Sequence, residues 1–309
     1  MMLRQVFMAA GSTDSKRSRA PFPSHVTLPA VKAPYPSILD FLEERFDKVG
    51  RDVWQKRIEE GKVSDDQGRV IRLDTPYKVN LRLLYHREVE EEAVIPFKEE
   101  IVFQNENLLV ACKPHFLPVI PSGPYVNECL LYRLRKSAGI ENMVPIHRLD
   151  RETAGLVMFS TNRKTCGRYG DLFKTGQVHK LYEAIGLLPG ERGRTEWLVE
   201  SRIVPGEPWF LSKNEKGKVN ARTTIRLLES KGGLGRFELE PLTGKQHQLR
   251  LHMVMIGSQI INDFNYPRLQ SERKKGFDKP LQLLARELSF KDPVSGQDFD
   301  FKSTRSLEW

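Results

Sequence analysis

From Ile101 onward, short apolar runs bounded by turn residues recur without strict alternation of strand and helix. No other feature limits the fold as much. Regular strand–helix–strand alternation builds a parallel sheet covered on both faces, whereas runs of strands with occasional helices build an α+β architecture. Ile101-Val102-Phe103 and Leu108-Leu109-Val110-Ala111 flank Asn105-Glu106-Asn107 and read as a hairpin. Gly155-Leu156-Val157-Met158-Phe159-Ser160 reads as a buried strand, and residues 181–185, 223–228 and 236–242 read as further strands. Residues 128–136 read as a helix. The expected fold class is α+β, with a mixed, mainly antiparallel sheet flanked by helices and loops and a small N-terminal α+β domain.

That N-terminal domain has its own pattern. Ile38, Leu39, Leu42 and Phe46 recur at helical spacing, with Ser37 as candidate N-cap. Gly50 interrupts the pattern, and Asp52 reads as the cap of a second helix that carries Val53, Trp54, Arg57 and Ile58 and ends at Gly61. Lys62-Val63-Ser64, the turn-like Asp65-Asp66-Gln67-Gly68 and Arg69-Val70-Ile71 form a hairpin signal. Residues 78–85 offer another strand, and the acidic run 88–92 reads as a linker. Lys16, Arg17 and Arg19 lie among Ser, Thr and Pro, so residues 1–30 read as a flexible basic arm. The expected domains are this arm, a small domain over 31–95 and a larger one over 96–309.

Composition narrows the partners. The chain has 309 residues, 39% of them hydrophobic, which is enough for a sizeable core. A net charge of +9 favours a polyanion, of which nucleic acid is the commonest. Three cysteines, with no CxxC pair, exclude a disulfide framework and a thiolate zinc site. No apolar run approaches a membrane span. The opening MMLRQVFMAAGS is broken by Arg4 and Gln5, which leaves it short for a signal peptide. The expected location is the cytoplasm.

Four segments carry candidate chemistry. Lys113-Pro114-His115-Phe116-Leu117-Pro118-Val119-Ile120-Pro121-Ser122 is a rigid extended path, which alone reads as a connector. In His147-Arg148-Leu149-Asp150-Arg151-Glu152-Thr153-Ala154-Gly155-Leu156, a carboxylate sits between two arginines. Such a carboxylate suits a nucleophile or a base, although by residue type alone it reads as an ion pair at a strand end. In Lys180-Leu181-Tyr182-Glu183-Ala184, Lys180 and Tyr182 share one strand face, where an aromatic ring can stack on a base. The fourth segment, Gly244-Lys245-Gln246-His247-Gln248-Leu249-Arg250-Leu251-His252-Met253, runs on to Asn262-Asp263. The spacing of His247 and His252 suits neither a strand nor a helix as a metal pair, so no metal site is expected. Arg250 reads as a fixed cation for a carboxylate or phosphate.

In this order the four segments resemble the RluA-type family of RNA pseudouridine synthases. HRLDRETAGL is similar to the family's HRLDxxTSGL, KLYEAI to its KxYxA segment, and GKQHQLRLHMVMIGSQIINDFNY to its GRxHQIRxHLxxxGxPIxGDxxYG block. Residues 283–301, with Pro293 and Gly296, resemble its closing LHAxxLxFxHPxTG stretch. The likeness covers about residues 100–302. It departs at Ala154, Lys245, Asn262 and Leu284, where the family has a serine and, often, arginine, glycine and histidine. Residues 36–75 resemble, less specifically, the small RNA-binding domain first seen in ribosomal protein S-four.

The resemblance implies a pseudouridine synthase fold and isomerisation of uridine in ribosomal or transfer RNA, with the target nucleotide flipped out. It implies Asp150 as the catalytic carboxylate, Tyr182 as the ring packed on the target and a possible aid to proton removal, and Arg250 as the partner of Asp150. It implies Arg148 as the residue that displaces the target base. Arg151, Lys113, Lys180, Lys245 and His247 are the further expected RNA contacts. No cofactor, no metal and no membrane partner are expected, and a monomer is the simplest state. The rival expectation is a catalytically inactive RNA-binding or ribosome-assembly protein on the same fold, against which the presence of Asp150, Tyr182 and Arg250 together argues. A glycoside hydrolase would need a second acid, for which Glu152 is the nearest candidate.

Overall fold

A computed structural model describes residues 18–47, 49–190, 193–270 and 276–309. The chain divides into two compact units, Met1–Ala93 with Pro121–Asn127, and Val94–Ile120 with Glu128–Trp309.

In the first unit, β1 (Ser18–Arg19) pairs with β5 (Glu88–Val89), and a three-stranded sheet has the order β2 (Ser24–Thr27), β4 (Arg82–Tyr85), β3 (Val63–Asp65). Helix α1 (Ile38–Arg45) starts at Ser37, whose hydroxyl accepts the Asp40 N–H at 3.2 Å, as its position in the sequence predicts. Helix α2 (Arg51–Glu59) starts two residues earlier than expected, with Gly50 as N-cap, so Asp52 lies in its first turn rather than capping it. Asp52 still favours the positive end of the helix dipole. Leu28, Phe41, Leu42, Trp54 and Leu83 close the core of this unit. The reading of residues 1–30 as a flexible arm is corrected for its second half, because β1 and β2 use their backbone groups in ladders with β5 and β4. Lys16 and Arg17 lie outside the described residues.

The second unit is built on an eleven-stranded sheet. Its strands are β6 (Glu100–Gln104), β7 (Leu108–Lys113), β8 (Val144–Pro145), β9 (Ala154–Ser160), β10 (His179–Leu187), β11 (Glu196–Pro205), β12 (Ser212–Glu215), β13 (Ala221–Lys231), β14 (Leu234–Pro241), β15 (Leu283–Lys291) and β16 (Asp298–Lys302). The order across the sheet is β12-β11-β13-β14-β10-β15-β9-β7-β6, with β8 on β9 and β16 on β15. Every pairing is antiparallel except β15 with β9, so the sheet is mixed and mainly antiparallel, as the sequence predicts.

Three helices accompany the sheet: α3 (Leu130–Ala138), α4 (Cys166–Lys174) and α5 (Gln248–Met255). The expected helix over 128–136 is α3, shifted because Glu128 turns away to accept the Ile95 N–H at 2.7 Å and to pair with Arg133. One core cluster packs Leu249 and Met253 of α5 with Ala184, Ile225, Phe237 and Leu239. A second packs Tyr169 and Leu172 of α4 with Leu108, Leu156, Leu288 and Phe290. The join between these halves of the sheet is β10-β15-β9, and the candidate site lies there.

Candidate active site

Asp150 stands in the loop that enters β9, and Thr153 N–H closes the turn on the Asp150 carbonyl at 3.1 Å. The position of that turn is set by Gly155. Its φ is +111°, and a Cβ there would lie 2.2 Å from the Ala285 carbonyl oxygen. Only glycine lets β9 come this close to β15. Ala285 pairs with Gly155 on one side and with Tyr182 of β10 on the other. A single β15 residue therefore sets the Asp150 loop and Tyr182 on flanking strands.

Arg250, on the first turn of α5, completes the centre. Its Nε and Nη2 donate to the two oxygens of Asp263 at 2.8 and 2.6 Å, and its Nη1 donates to Asp150 Oδ2 at 3.3 Å. The Arg250 side chain is 3% exposed and Asp263 2%, against 26% for Asp150. Asp263 is thus an internal counter-ion, while Asp150 opens to solvent. Asp263 Oδ1 also accepts the N–H groups of Asn265 and Tyr266 at 2.9 and 3.1 Å, so the inner carboxylate is saturated. Burial would lower the Arg250 pKa, but Asp263 and Asp150 outweigh it and hold the guanidinium above its ordinary range.

His247, the left-handed N-cap residue of α5, places Nε2 3.6 Å from the same Asp150 Oδ2 and Nδ1 2.7 Å from the Tyr266 hydroxyl. Burial lowers its pKa against the opposing pull of Asp150. The Tyr266 hydroxyl that meets Nδ1 also donates to the Ser212 carbonyl at 3.0 Å, which ties His247 to the strand β12 backbone. The Tyr266 ring packs on the Arg250 guanidinium, 5.1 Å from its carbon to the ring centroid. Tyr182 is half-buried, and burial, with Asp150 adding to it, raises its phenol well above the usual value. It stays a neutral phenol at physiological pH. Glu152 is pushed up by burial but pulled further down by Arg151 and Arg250, which leaves it below the usual carboxylate range and unsuited to act as a general acid.

The structure treats the expected RNA contacts differently. Arg148 and Lys245 are exposed, and their charged groups make no hydrogen bond or ion pair with the described residues. Lys180 is partly buried, which lowers its pKa. Arg151 pairs with Glu152 at 2.9 Å. Lys113 corrects the sequence reading. It is 0% exposed, and its ammonium donates to the carbonyls of Pro114, Leu117 and Arg151 at 3.0, 2.7 and 3.0 Å. All three of its protons are used inside the molecule, so it pins the proline-rich segment to the Asp150 loop and does not reach RNA. Burial pulls its pKa down to about 7. His252, apart from His247, lies buried between the Ser201 and Thr223 hydroxyls at 3.0 and 2.8 Å, so both ring nitrogens have partners. Among the described residues, no group of three or more His, Cys, Asp or Glu side chains is arranged to hold a metal.

A family model for RNA pseudouridylate synthases matches residues 107–254, which include Asp150, Tyr182 and Arg250. Over this span the chain is similar to RNA pseudouridine synthases, and its relatives include synthases of the RluA type. It is 28% identical to the ribosomal large subunit pseudouridine synthase D of Zymomonas mobilis, over 82% of this chain and 85% of that protein. It is also 28% identical to the mitochondrial tRNA pseudouridine(32) synthase of Saccharomyces cerevisiae, over 73% of this chain but only 49% of the yeast protein. Human RNA pseudouridylate synthase domain containing 4 is similar in structure, with a TM-score of 0.52 and 26% identity over 68% of this chain and 88% of that one.

Sequence reasoning left out two residues of the centre. Asp263 was legible in principle, since an arginine on a helix buried on several sides requires an internal carboxylate. Tyr266 gives no such signal, because its part depends on a contact with His247 across 19 positions.

Proposed function

We propose that this chain isomerises uridines of ribosomal or transfer RNA to pseudouridine, with Asp150 as the catalytic carboxylate. The observation that carries this reading is the asymmetry of Asp150. Oδ2 is addressed by Arg250 and His247, while Oδ1 accepts no hydrogen bond from the described residues. A carboxylate oriented through one oxygen and open at the other suits attack on, or proton removal from, a bound nucleotide. The relatives' names supply the substrate class, since one names transfer RNA and another the large ribosomal subunit.

The target uridine must leave its stack, at a cost of roughly a few kcal/mol. Arg148, exposed and unpaired among the described residues, supplies a planar cation for the vacated space. Tyr182 packs its ring on the target base. Because its phenol stays protonated, its hydroxyl serves as a hydrogen-bond donor rather than as a base. The bond between ring nitrogen one and the sugar carbon breaks, the uracil turns while held, and ring carbon five bonds to the sugar. The proton lost from that carbon balances the one gained at the freed nitrogen, so the product is an isomer and no cofactor is consumed. Three roles fit Asp150: attack on the sugar carbon, attack on the base, or removal of a sugar proton. The small 31–95 domain adds affinity for RNA, and the enzyme works as a monomer in the cytoplasm. No helix among the described residues is long and apolar enough to cross a membrane.

The test is to map pseudouridine in RNA from cells with and without the gene, then restore them with wild type or Asp150→Asn. Wild type is expected to restore specific sites and Asp150→Asn none. The variant should stay within about 1 kcal/mol of wild-type stability, because Asp263 still holds Arg250. If no uridine changes state on loss of the gene, the inactive RNA-binding alternative replaces this reading. Full restoration by Asp150→Asn would remove Asp150 from the chemistry.

A further inference from the structure

Residues 206–211, between β11 and β12, carry Trp209 with 69% of its surface exposed. An indole this open to water presents a π-face on which a base can stack. The loop is nevertheless firmly held. Gly206 N–H donates to the Leu211 carbonyl at 2.9 Å, and Leu211 N–H to that of Pro208 at 2.8 Å. Phe210 meets Trp209 edge to face, with ring centroids 5.9 Å apart and planes at 88°, which orients the indole.

The anchors of the loop lead back to the catalytic centre. Gln246 donates to the Phe210 carbonyl at 3.2 Å, and Ser212 N–H donates to the Tyr266 hydroxyl at 2.8 Å. Gln246 neighbours His247, and Tyr266 is the residue that His247 contacts on its way to Asp150. Lys213 follows the loop and Lys245 precedes the Gln246 that anchors it, while the loop's own Glu207 is an exposed carboxylate. Lys213, Lys216, Lys218 and Lys245 are exposed, and their ammonium groups have no partner among the described residues. Glu215 is already paired with Arg202.

A rigid, exposed indole among free ammonium groups is the combination that holds single-stranded nucleic acid, where bases stack on the ring and phosphates meet the cations. We infer that Trp209 is a stacking platform for an unpaired base flanking the target uridine, with Lys213 and Lys245 as its phosphate contacts. The inference rests on the proposed RNA substrate. It adds a site that selects for single-stranded flanks beside the reacting base.

The test uses the full chain with two ten-nucleotide probes at low salt: oligocytidylate, which offers bases but no target uridine, and an abasic ribose-phosphate strand of equal charge. Trp209→Ala is expected to weaken oligocytidylate binding about tenfold, and Trp209→Phe by less than about threefold, with neither variant altering binding of the abasic strand. The salt slope should be the same for Trp209→Ala and wild type. It should fall by about 1.4 when Lys213 and Lys245 are both changed to Gln. Equal oligocytidylate binding by Trp209→Ala and wild type overturns the inference, leaving the indole for a protein partner. So does a Trp209→Phe as weak as Trp209→Ala, or an equal loss on the abasic strand. If binding depends on Trp209 but the protein modifies no RNA, the proposed activity fails and the stacking site stands. If modification proceeds and Trp209 is irrelevant to binding, only this inference fails.

Discussion

Arg250 grips both oxygens of Asp263, at 2.8 and 2.6 Å, and offers Asp150 only its remaining nitrogen, at 3.3 Å. The internal carboxylate aims the cation, and the accessible carboxylate uses it. Removing the internal partner should therefore cost more stability than removing the catalytic one. Asp263→Ala is expected to lower unfolding free energy by about 3–5 kcal/mol, because it strips a buried guanidinium of its bidentate partner. Asp263→Asn, which keeps one acceptor, should cost less. Denaturant midpoints measure both, and a loss below about 1 kcal/mol for Asp263→Ala would show that Arg250 is held by other means.

Lys113 and Lys245 should respond in opposite ways. Lys113→Met leaves three carbonyls without their buried donor, and a loss of about 2–5 kcal/mol is expected, with no change in the salt dependence of RNA binding. Lys245→Gln should leave stability within about 0.5 kcal/mol and reduce the salt slope by about 0.7. A reduced slope in Lys113→Met would return that residue to the RNA interface.

Gly155→Ala tests the strand junction. The added methyl meets the Ala285 backbone at 2.2 Å in a left-handed conformation, and backbone cannot swing aside as a side chain can. A melting temperature lowered by several degrees is expected, together with loss of activity even where the protein remains folded. Wild-type activity in Gly155→Ala would separate the junction from the site.

Acid should destabilise the fold before its carboxylates titrate. Burial lowers the pKa of His115 to about 4, His252 to about 4 and His147, with Lys180 adding to it, to about 3. The unfolded histidines take up protons near pH 6.5, whereas the folded ones do not. The unfolded state therefore binds more protons between about pH 6.5 and 4, and stability must fall as pH drops through that window. Each histidine contributes up to about 1.4 kcal/mol per pH unit. Unfolding free energies from pH 7.5 to 4.5 measure the slope, and His252→Gln should flatten it. A level profile would mean that these rings are already charged in the native state.

The sequence made the centre legible where chemistry is written in contiguous blocks. Asp150, Tyr182 and Arg250 each sit in such a block, and the mainly antiparallel sheet follows from runs of strand signals without strict strand–helix alternation. Other features resist reading because their cause lies in the fold. Helix α5 is buried over residues 248–253, so it lacks the one-sided periodicity by which helices are recognised. Strand β11 alternates buried and exposed residues, but exposed Leu198 and buried Ser201 break the matching alternation of apolar and polar types. Lys113 reads as a surface cation because lysine is rarely buried, and only the carbonyls around it reveal its place. Asp52 shows the reverse error, since a residue type suited to capping was two residues out of position.

The parallel contact between β9 and β15 has a consequence for the order of events as the chain is made. Strands β9 and β10 have no ladder with each other; β15 is the neighbour they share, and it lies more than 90 residues further along the chain than β10 does. Before Leu283–Lys291 emerges, the Asp150 loop and Tyr182 sit on two separate pieces of sheet. A growing chain can thus bury most of its apolar surface while its catalytic groups remain apart. Arrival of the late strand closes the gap, so Asp150 and Tyr182 come onto one continuous sheet only once β15 is in place.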